Sequence, residues 1–312
     1  MINKENTLAI ICPVHNEEDS IEYFFGRLSK SLDLIASDYE VAVYFINNAS
    51  TDQSLAKILA LRGRDKRVQV ITHSRNFGYQ ASVLCGVTHA CGDALVIIDV
   101  DCEDPPELIP VFVKHWKDGY DIVYGQRVVR PEPGAMIAAR RIFYRLTNLI
   151  ADWDFIIDMA EFSLFSDRVR RQILRHRSTF PFVRSDLGYV GFNRIGIPYA
   201  REPRHFGRTH YNLFRMITFA VGGILTASTF LLRVISYIGV PLAAVNIISA
   251  ALQVFRISRP IAGLPELNAA FLTMALSVLA IYTARIVKDG VHRPVFIVDL
   301  QRSHLNHSIK VD

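Results

Sequence analysis

Residues 97–110 read IIDVDCEDPPELIP. An apolar run ends in four acids within six positions, Asp99, Asp101, Glu103 and Asp104, and two prolines follow at once. Carboxylates this crowded repel one another unless a cation sits among them. The stretch is either a solvated loop or a metal-binding turn, and its surroundings decide which. Asp99 and Asp101 lie two apart, which on an extended chain points both side chains the same way. Such a pair suits Mg2+ or Mn2+, and the cation would in turn neutralise a diphosphate. Asp104 and Glu107 read as N-terminal residues of a helix begun by Pro105 and Pro106.

Working outward, apolar runs of strand length recur at 8–12 (LAIIC), 41–46 (VAVYFI), 68–71 (VQVI), 94–99 (ALVIID) and 121–125 (DIVYG). Amphipathic stretches near 18–35, 52–62, 79–91 and 106–117 separate them. Strand and helix alternating in this way predict an α/β domain with a mostly parallel sheet and helices on both faces. Ligands bind beyond the carboxyl ends of such strands. The chemically loaded segments fall there: PVHNEE (13–18), NNASTD (47–52), SRNFGYQ (74–80) and DVDCEDPPE (99–107). No G-x-G-x-x-G follows the first strand and no G-x-x-x-x-G-K-[ST] occurs, which argues against dinucleotide-binding and P-loop chemistry.

The net charge of +5 hides an asymmetry. Residues 1–126 hold 11 Lys and Arg against 18 Asp and Glu, a net −7, whereas residues 127–215 hold 16 Arg, no Lys and 8 acids, a net +8. An acidic, metal-using front followed by an arginine-only middle fits phosphate clamping, because a guanidinium bonds two oxygens at once. A basic surface facing an anionic membrane is the other reading. The middle carries no nucleic-acid-binding motif, so a nucleic-acid partner is set aside. Cys12, Cys85, Cys91 and Cys102 form no C-x-x-C pair and read as reduced thiols. His15, His73, His89 and His115 lack metal spacing and read as surface or packing residues.

Residues 234–255 and 267–284 are uncharged runs of 22 and 18 residues joined by a connector rich in helix breakers. They predict a transmembrane hairpin. Residues 216–232 are shorter and carry Gly222-Gly223, which favours a helix lying in the interface. The first apolar run starts a soluble domain rather than a signal peptide. The resulting division is a catalytic domain over 1–210, interfacial helices over 211–233, two spans with a short connector over 234–288 and a C-terminal tail over 289–312. Basic flanks give a modest bias towards both termini being cytosolic. A homo-oligomer through the hairpin is left open.

These segments, with YDIVYGQR (120–127), FYRLTN (143–148), AEFSLFSDRV (160–169) and YVGFNRIGIPYAREPRHFGRTHYNL (189–213), together resemble the family 2 glycosyltransferases of the GT-A fold. Within it they are similar to the polyprenyl-phosphate enzymes, the dolichol-phosphate mannose synthases and the bacterial undecaprenyl-phosphate glycosyltransferases. The resemblance spans almost the whole chain in order and is most specific over 75–110. It implies a UDP- or GDP-linked sugar donor, a polyprenyl-phosphate acceptor at a lipid bilayer, and Mg2+ or Mn2+. It also implies an integral membrane protein with a cytosolic catalytic domain, placed in the bacterial inner membrane and serving cell-envelope glycan biosynthesis.

Carried over by position, Pro13, Asn16, Glu17, Asn48, Gly78 and Gln80 fall on the nucleotide loops. Asp99, Asp101 and Glu103 fall on the metal and diphosphate positions. Glu161 matches the acid that serves as base or orients the acceptor. Arg127, Arg141, Arg145, Arg184 and Arg201 are candidates for the acceptor phosphate, and Asp101, Glu161 and Arg127 form the expected catalytic set. Three departures stand out: NNAS replaces the usual DDGS, Ser163 replaces an arginine after the acid, and GRTHY (207–211) replaces GESKY. They leave a catalytically silent membrane scaffold, or a different membrane acceptor, as the alternatives. A processive polysaccharide synthase would need more spans and a Q-x-x-R-W element, which Trp116 and Trp153 do not supply.

Overall fold

The structure, a computed structural model, describes residues 6–127, 156, 159–176, 181–203, 228–291 and 293–307. The chain forms two compact units. One comprises Met1–Arg141, Phe155–Tyr211 and Pro294–Asp312, the other Ile142–Asp154 and Asn212–Arg293.

In the first unit the strands are β1 (Thr7–Val14), β2 (Glu40–Asn47), β3 (Val68–Thr72), β4 (Ala94–Ile97), β5 (Ile122–Arg127), β6 (Met159–Ser166) and β7 (Arg194–Tyr199). They form one sheet in the order β3-β2-β1-β4-β6-β5-β7. The pairs β1–β2, β1–β4, β2–β3 and β5–β7 are parallel, and β6 runs antiparallel to both β4 and β5. The sheet is mostly parallel, as the alternation predicts.

β1 shows why its apolar run is continuous rather than alternating. Leu8, Ile10, Cys12 and Val14 enter one core and Ala9 and Ile11 the other, so both faces are buried. Helices α1 (Ile21–Asp33), α2 (Ser54–Arg64) and α4 (Ile109–Lys117) feed the first core through Phe24, Leu28, Ile58 and Phe112. Helices α3 (Tyr79–His89), α5 (Asp167–Ile173) and α6 (Val183–Tyr189) feed the second through Val83, Val87, Val169 and Leu187. The helix expected over 106–117 begins as a single 3-10 turn, Pro106–Leu108, before α4. Cys12, Cys85 and Cys102 are buried and unpaired, and Cys91 is exposed.

The second unit contains α7 (Phe230–Val254) and α8 (Leu264–Gly290), 25 and 27 residues that are long and apolar enough to cross a membrane. The two helices touch through small and amide residues. Asn246 and Asn268 exchange side-chain hydrogen bonds of 3.0 and 2.8 Å. Gly239 lets Phe271 approach so closely that an added Cβ would lie 2.9 Å from its ring. Amide pairs and small residues of this kind hold apolar helices together where lipid offers no hydrophobic drive. Residues 211–227, most of the expected interfacial stretch, lie outside the described residues, and its last residues from Phe230 onward already belong to α7.

One close contact sets the height of α3 over the sheet. A Cβ on Gly86 would stand 2.3 Å from Cγ2 of the fully buried Ile11. Alanine is the better helix former, so propensity alone favours Gly86→Ala. Overpacking outweighs it here, and the substitution is expected to destabilise the first unit by about 1–3 kcal/mol. Thermal unfolding of the detergent-purified protein checks this, and an unchanged or raised midpoint would refute the packing.

Candidate functional site

Strand direction decides what meets at one edge of the sheet. The carboxyl ends of β1, β2 and β4 lie together, as do those of β5 and β7. Because β6 runs the other way, with Ile97 opposite Ser163 and Gln126 opposite Met159, its first residues arrive at that same edge. Pro13, Asn48, Asp99, Arg127, Tyr199 and Glu161 are thereby gathered from six strands.

Where the sequence leads one to expect the nucleotide, the loops after β1, β2 and β3 are joined by a closed ring of hydrogen bonds. Asn48 Nδ2 donates to Asn76 Oδ1 at 2.9 Å, and Asn76 Nδ2 donates to His15 Nε2 at 2.9 Å. His15 Nδ1–H returns to the Asn48 carbonyl at 3.0 Å. Asn48 Oδ1 accepts from the Phe77 amide at 2.9 Å and from His73 Nδ1–H at 3.1 Å. These partners fix both histidine tautomers, since each Nδ1 faces an acceptor. The NNAS departure now has a physical reason: a carboxylate at Asn48 would face the Asn76 carbonyl oxygen with no proton between them. The Asn48 amide is spent on its own loops. Asn16 sits in the left-handed region with φ 56° and accepts from the Thr51 amide at 2.8 Å. The Glu17 amide donates to Ser54 Oγ at 2.9 Å. Gly78, at φ 92°, opens α3 and donates to Asn76 Oδ1 at 2.8 Å. Pro13 is buried in β1 opposite Ile46.

At the acidic end β4 stops at Ile97, and Val100 and Asp101 form a turn with Cys102 at φ 61°. The extended geometry expected for Asp99 and Asp101 is therefore replaced by a turn. Tyr79 donates its hydroxyl proton to Asp99 at 2.7 Å, and Asp101 accepts from the Glu103 amide at 3.1 Å. Burial, then the charge of Asp101, pushes the Asp99 carboxyl up to about 8. Burial likewise raises Glu161, with Arg184 opposing it at 3.8 Å and Gln80 Nε2 donating at 3.3 Å. Arg184 also donates to the Met159 carbonyl at 3.3 Å.

The sequence reading of Asp104 needs correcting. It does not serve the helix start; it is 1% exposed and binds the arginine side of the site. Tyr199 donates its hydroxyl proton to it, Arg127 lies 3.6 Å away and Arg201 3.8 Å away. Arg127 Nε in turn donates to the Tyr199 oxygen at 3.4 Å. Arg201 also forms an ion pair with Glu103, and the Glu202 amide donates to the Glu103 carbonyl at 2.9 Å. Glu107 does stand in the first helical turn, where it shares Arg27 with Glu202, both at 2.8 Å. Nothing in EDPP announces the burial of Asp104, because its partners come from β5 and the end of β7. Arg141 and Arg145 lie outside the described residues.

Among the described residues no three His, Cys, Asp or Glu side chains converge as a metal cage, and Glu103 is turned onto Arg201. The donor chemistry nevertheless fits a hard divalent cation. Asp99, Asp101, Glu103, Asp104 and Glu161 face Arg127, Arg184 and Arg201, so the formal excess is two negative charges. Burial is the larger cause of the raised Asp99 carboxyl, and the neighbouring charge of Asp101 adds to it.

Residues 9–174 match the model of the family described as glycosyl transferase family 2. The chain belongs to that family. It is therefore a glycosyltransferase, and the mixed sheet above is its catalytic fold. A glycosyltransferase of Bacillus subtilis, YkcC, is 34% identical over 93% of this chain and 92% of its own. Two bactoprenol glucosyl transferases are 31% identical: that of Shigella phage SfV over 93% of this chain and 97% of its own, and that of Shigella phage SfII over 95% and 98%. Among solved structures, glucosyl-3-phosphoglycerate synthase from Mycobacterium tuberculosis, in complex with Mn2+, UDP and phosphoglyceric acid, aligns at 15% identity. That alignment covers 71% of this chain and 77% of that one, with a TM-score of 0.48.

Asn48→Asp is expected to cost about 1–3 kcal/mol through an unsatisfied buried pair, read as a lowered thermal midpoint, and an unchanged midpoint would refute the ring. His73 is fully buried beside His89, and burial holds it down to about 4 from its usual 6.5. The unfolded chain then takes up the proton first, so stability falls as pH drops from 6.5 to 4, by on the order of 3 kcal/mol. Melting curves across that window should flatten in His73→Gln relative to wild type, and parallel curves would count against it.

Proposed function

We propose that this glycosyltransferase moves a sugar from a UDP- or GDP-linked donor to a polyprenyl phosphate at the membrane surface, by a single inverting displacement. The observation that carries the reading is the coincidence of an acidic diphosphate end with an arginine-bearing end at one sheet edge, in a chain whose apolar hairpin is matched along with the catalytic domain in the bactoprenol relatives.

The acceptor phosphate is already anionic near neutral pH, so its oxygen attacks the anomeric carbon with little help from a base. As that bond forms, the bond from the anomeric carbon to the donor diphosphate breaks, and the nucleoside diphosphate leaves with the electron pair. Arg127 and Arg201, held by Asp104, and Arg184, beside Glu161, are the described cations that place the acceptor phosphate. Glu161 orients it against Arg184, whose guanidinium 3.8 Å away offsets the carboxylate facing the incoming anion. Asp99 and Asp101 would hold Mg2+ or Mn2+, which when bound would neutralise charge on the leaving diphosphate.

The two long apolar helices support a site at a bilayer. Residues 294–307 pack in the same unit as the catalytic domain, so the chain between crosses an even number of times. This supports catalytic domain and tail on one face, the cytosolic one, of a bacterial inner membrane.

Transfer from labelled UDP- and GDP-sugars to undecaprenyl or dolichyl phosphate in detergent tests the reading. A labelled lipid is expected, lost with EDTA and reduced at least about 100-fold in Asp101→Asn. Folded wild-type protein giving no lipid product from any donor would overturn it in favour of a silent scaffold.

A further inference from the structure

The segment after α8 does not trail away as a separate tail; it rejoins the catalytic sheet. β3 is the edge strand of that sheet. Residues 297–304 run along it, with antiparallel bridges between Val298 and His73 and between His304 and Val70. The Ser74 amide donates to the Ile297 carbonyl at 2.9 Å, Asp299 to the Thr72 carbonyl at 2.7 Å, and Val70 and His304 exchange bonds of 2.9 and 2.7 Å. Thr72 is gripped twice more, its amide donating to Ser303 Oγ and its hydroxyl to the Arg302 carbonyl, both at 2.9 Å. The open sheet edge is closed by the chain's own end.

What this strand carries matters more than its backbone. Phe296 lies parallel to the His73 ring, with centroids 5.7 Å apart and 8° between planes. Phe77 meets the same ring edge-on at 5.7 Å. His73 is 0% exposed, its Nδ1–H is committed to Asn48, and its Nε2 has no hydrogen-bond partner. An imidazole with a bare buried nitrogen keeps one orientation only while apolar groups exclude water from it. Phe296 supplies that cover on the ring face left by Phe77. Val298 and Leu305 anchor it in the second core.

We propose that Phe296 is a positioning residue for nucleotide recognition: it holds the His73 ring, which holds Asn48, which holds the Phe77–Gly78 loop against a nucleoside diphosphate. The link to nucleotide rests on the proposed function; the link from Phe296 to the loop does not. Without the phenyl ring, water reaches Nε2, the histidine is free to turn or to protonate, and Asn48 Oδ1 loses a donor. The loop that opens α3 then samples open conformations, while the strands below keep their pairing.

The test uses the full chain in detergent, as wild type, Phe296→Ala and Phe296→Tyr. Hydrogen exchange at the Phe77 and Gly78 amides is expected to quicken roughly tenfold in Phe296→Ala, with β1 amides unmoved, since a tenfold change needs only about 1.4 kcal/mol. UDP or GDP, whichever wild type binds, should bind about 5–10-fold more weakly by calorimetry. The donor KM should rise with kcat and acceptor KM held, and Phe296→Tyr should restore all three. Wild-type loop exchange and nucleotide affinity in a folded Phe296→Ala would overturn the proposal, as would loss of protection throughout the sheet. If wild type binds neither UDP nor GDP, the functional reading fails by itself, and exchange at Phe77 and Gly78 still decides the role of Phe296.

Discussion

The antiparallel pairing of β4 with β6 is the constraint on which the site depends. In an all-parallel sheet Met159–Ser166 would deliver its last residue to the ligand edge, and Glu161 would sit a full strand length away. Reversing that one strand places Ser163 opposite Ile97 and turns Glu161 towards the acids that follow β4. It also splits the sheet electrically. β1, β2 and β4 lead into amides and carboxylates, whereas β5 and β7 lead into Arg127, Tyr199 and Arg201. The proposed reaction, between two phosphorylated partners, uses that division. One end must tolerate a cation and a leaving diphosphate, the other must seat an anionic nucleophile without bonding it so tightly that it cannot attack.

Asp104 is where the two ends touch. A carboxylate buried this completely is costly unless cations offset it, and both Arg127 and Arg201 do so from opposite sides, with Tyr199 donating as well. The consequence runs both ways. The guanidiniums are held rigid and partly neutralised by an internal anion, so they present direction more than raw charge. The Arg201 bond to Glu103 then leaves Asp99 and Asp101 as the carboxylates without an arginine partner of their own among the described ion pairs. That imbalance is what a divalent cation would correct.

Strand positions, helix positions and the identity of the acidic turn were readable because each has a local cause: unbroken apolar runs for strands buried on both faces, and acids packed at a strand end. What escaped was non-local. Asp104 stands before two prolines and reads as a helix-start residue, yet its partners lie 23, 95 and 97 residues further on. His73 reads as a packing histidine, which is correct for its burial and silent about the bond to Asn48. The segment 289–312 reads only as a C-terminal tail, because nothing local in it points to a partner strand. It pairs only because β3 leaves an edge open. The expectation of an extended D-x-D failed for a geometric reason, as the strand ends two residues earlier and Cys102 takes a positive φ.

The returning tail also limits how the enzyme can be built. Residues 297–304, which pair along β3, follow two long apolar helices in the chain, so the sheet edge is completed by a segment that comes after them. Completing that edge therefore waits until both apolar helices have been made. The His73–Asn48 bond and the loop it braces form against an unfinished edge during synthesis and gain their apolar cover last. An arrangement of this order completes the loops after β2 and β3 only once the two apolar helices have been made.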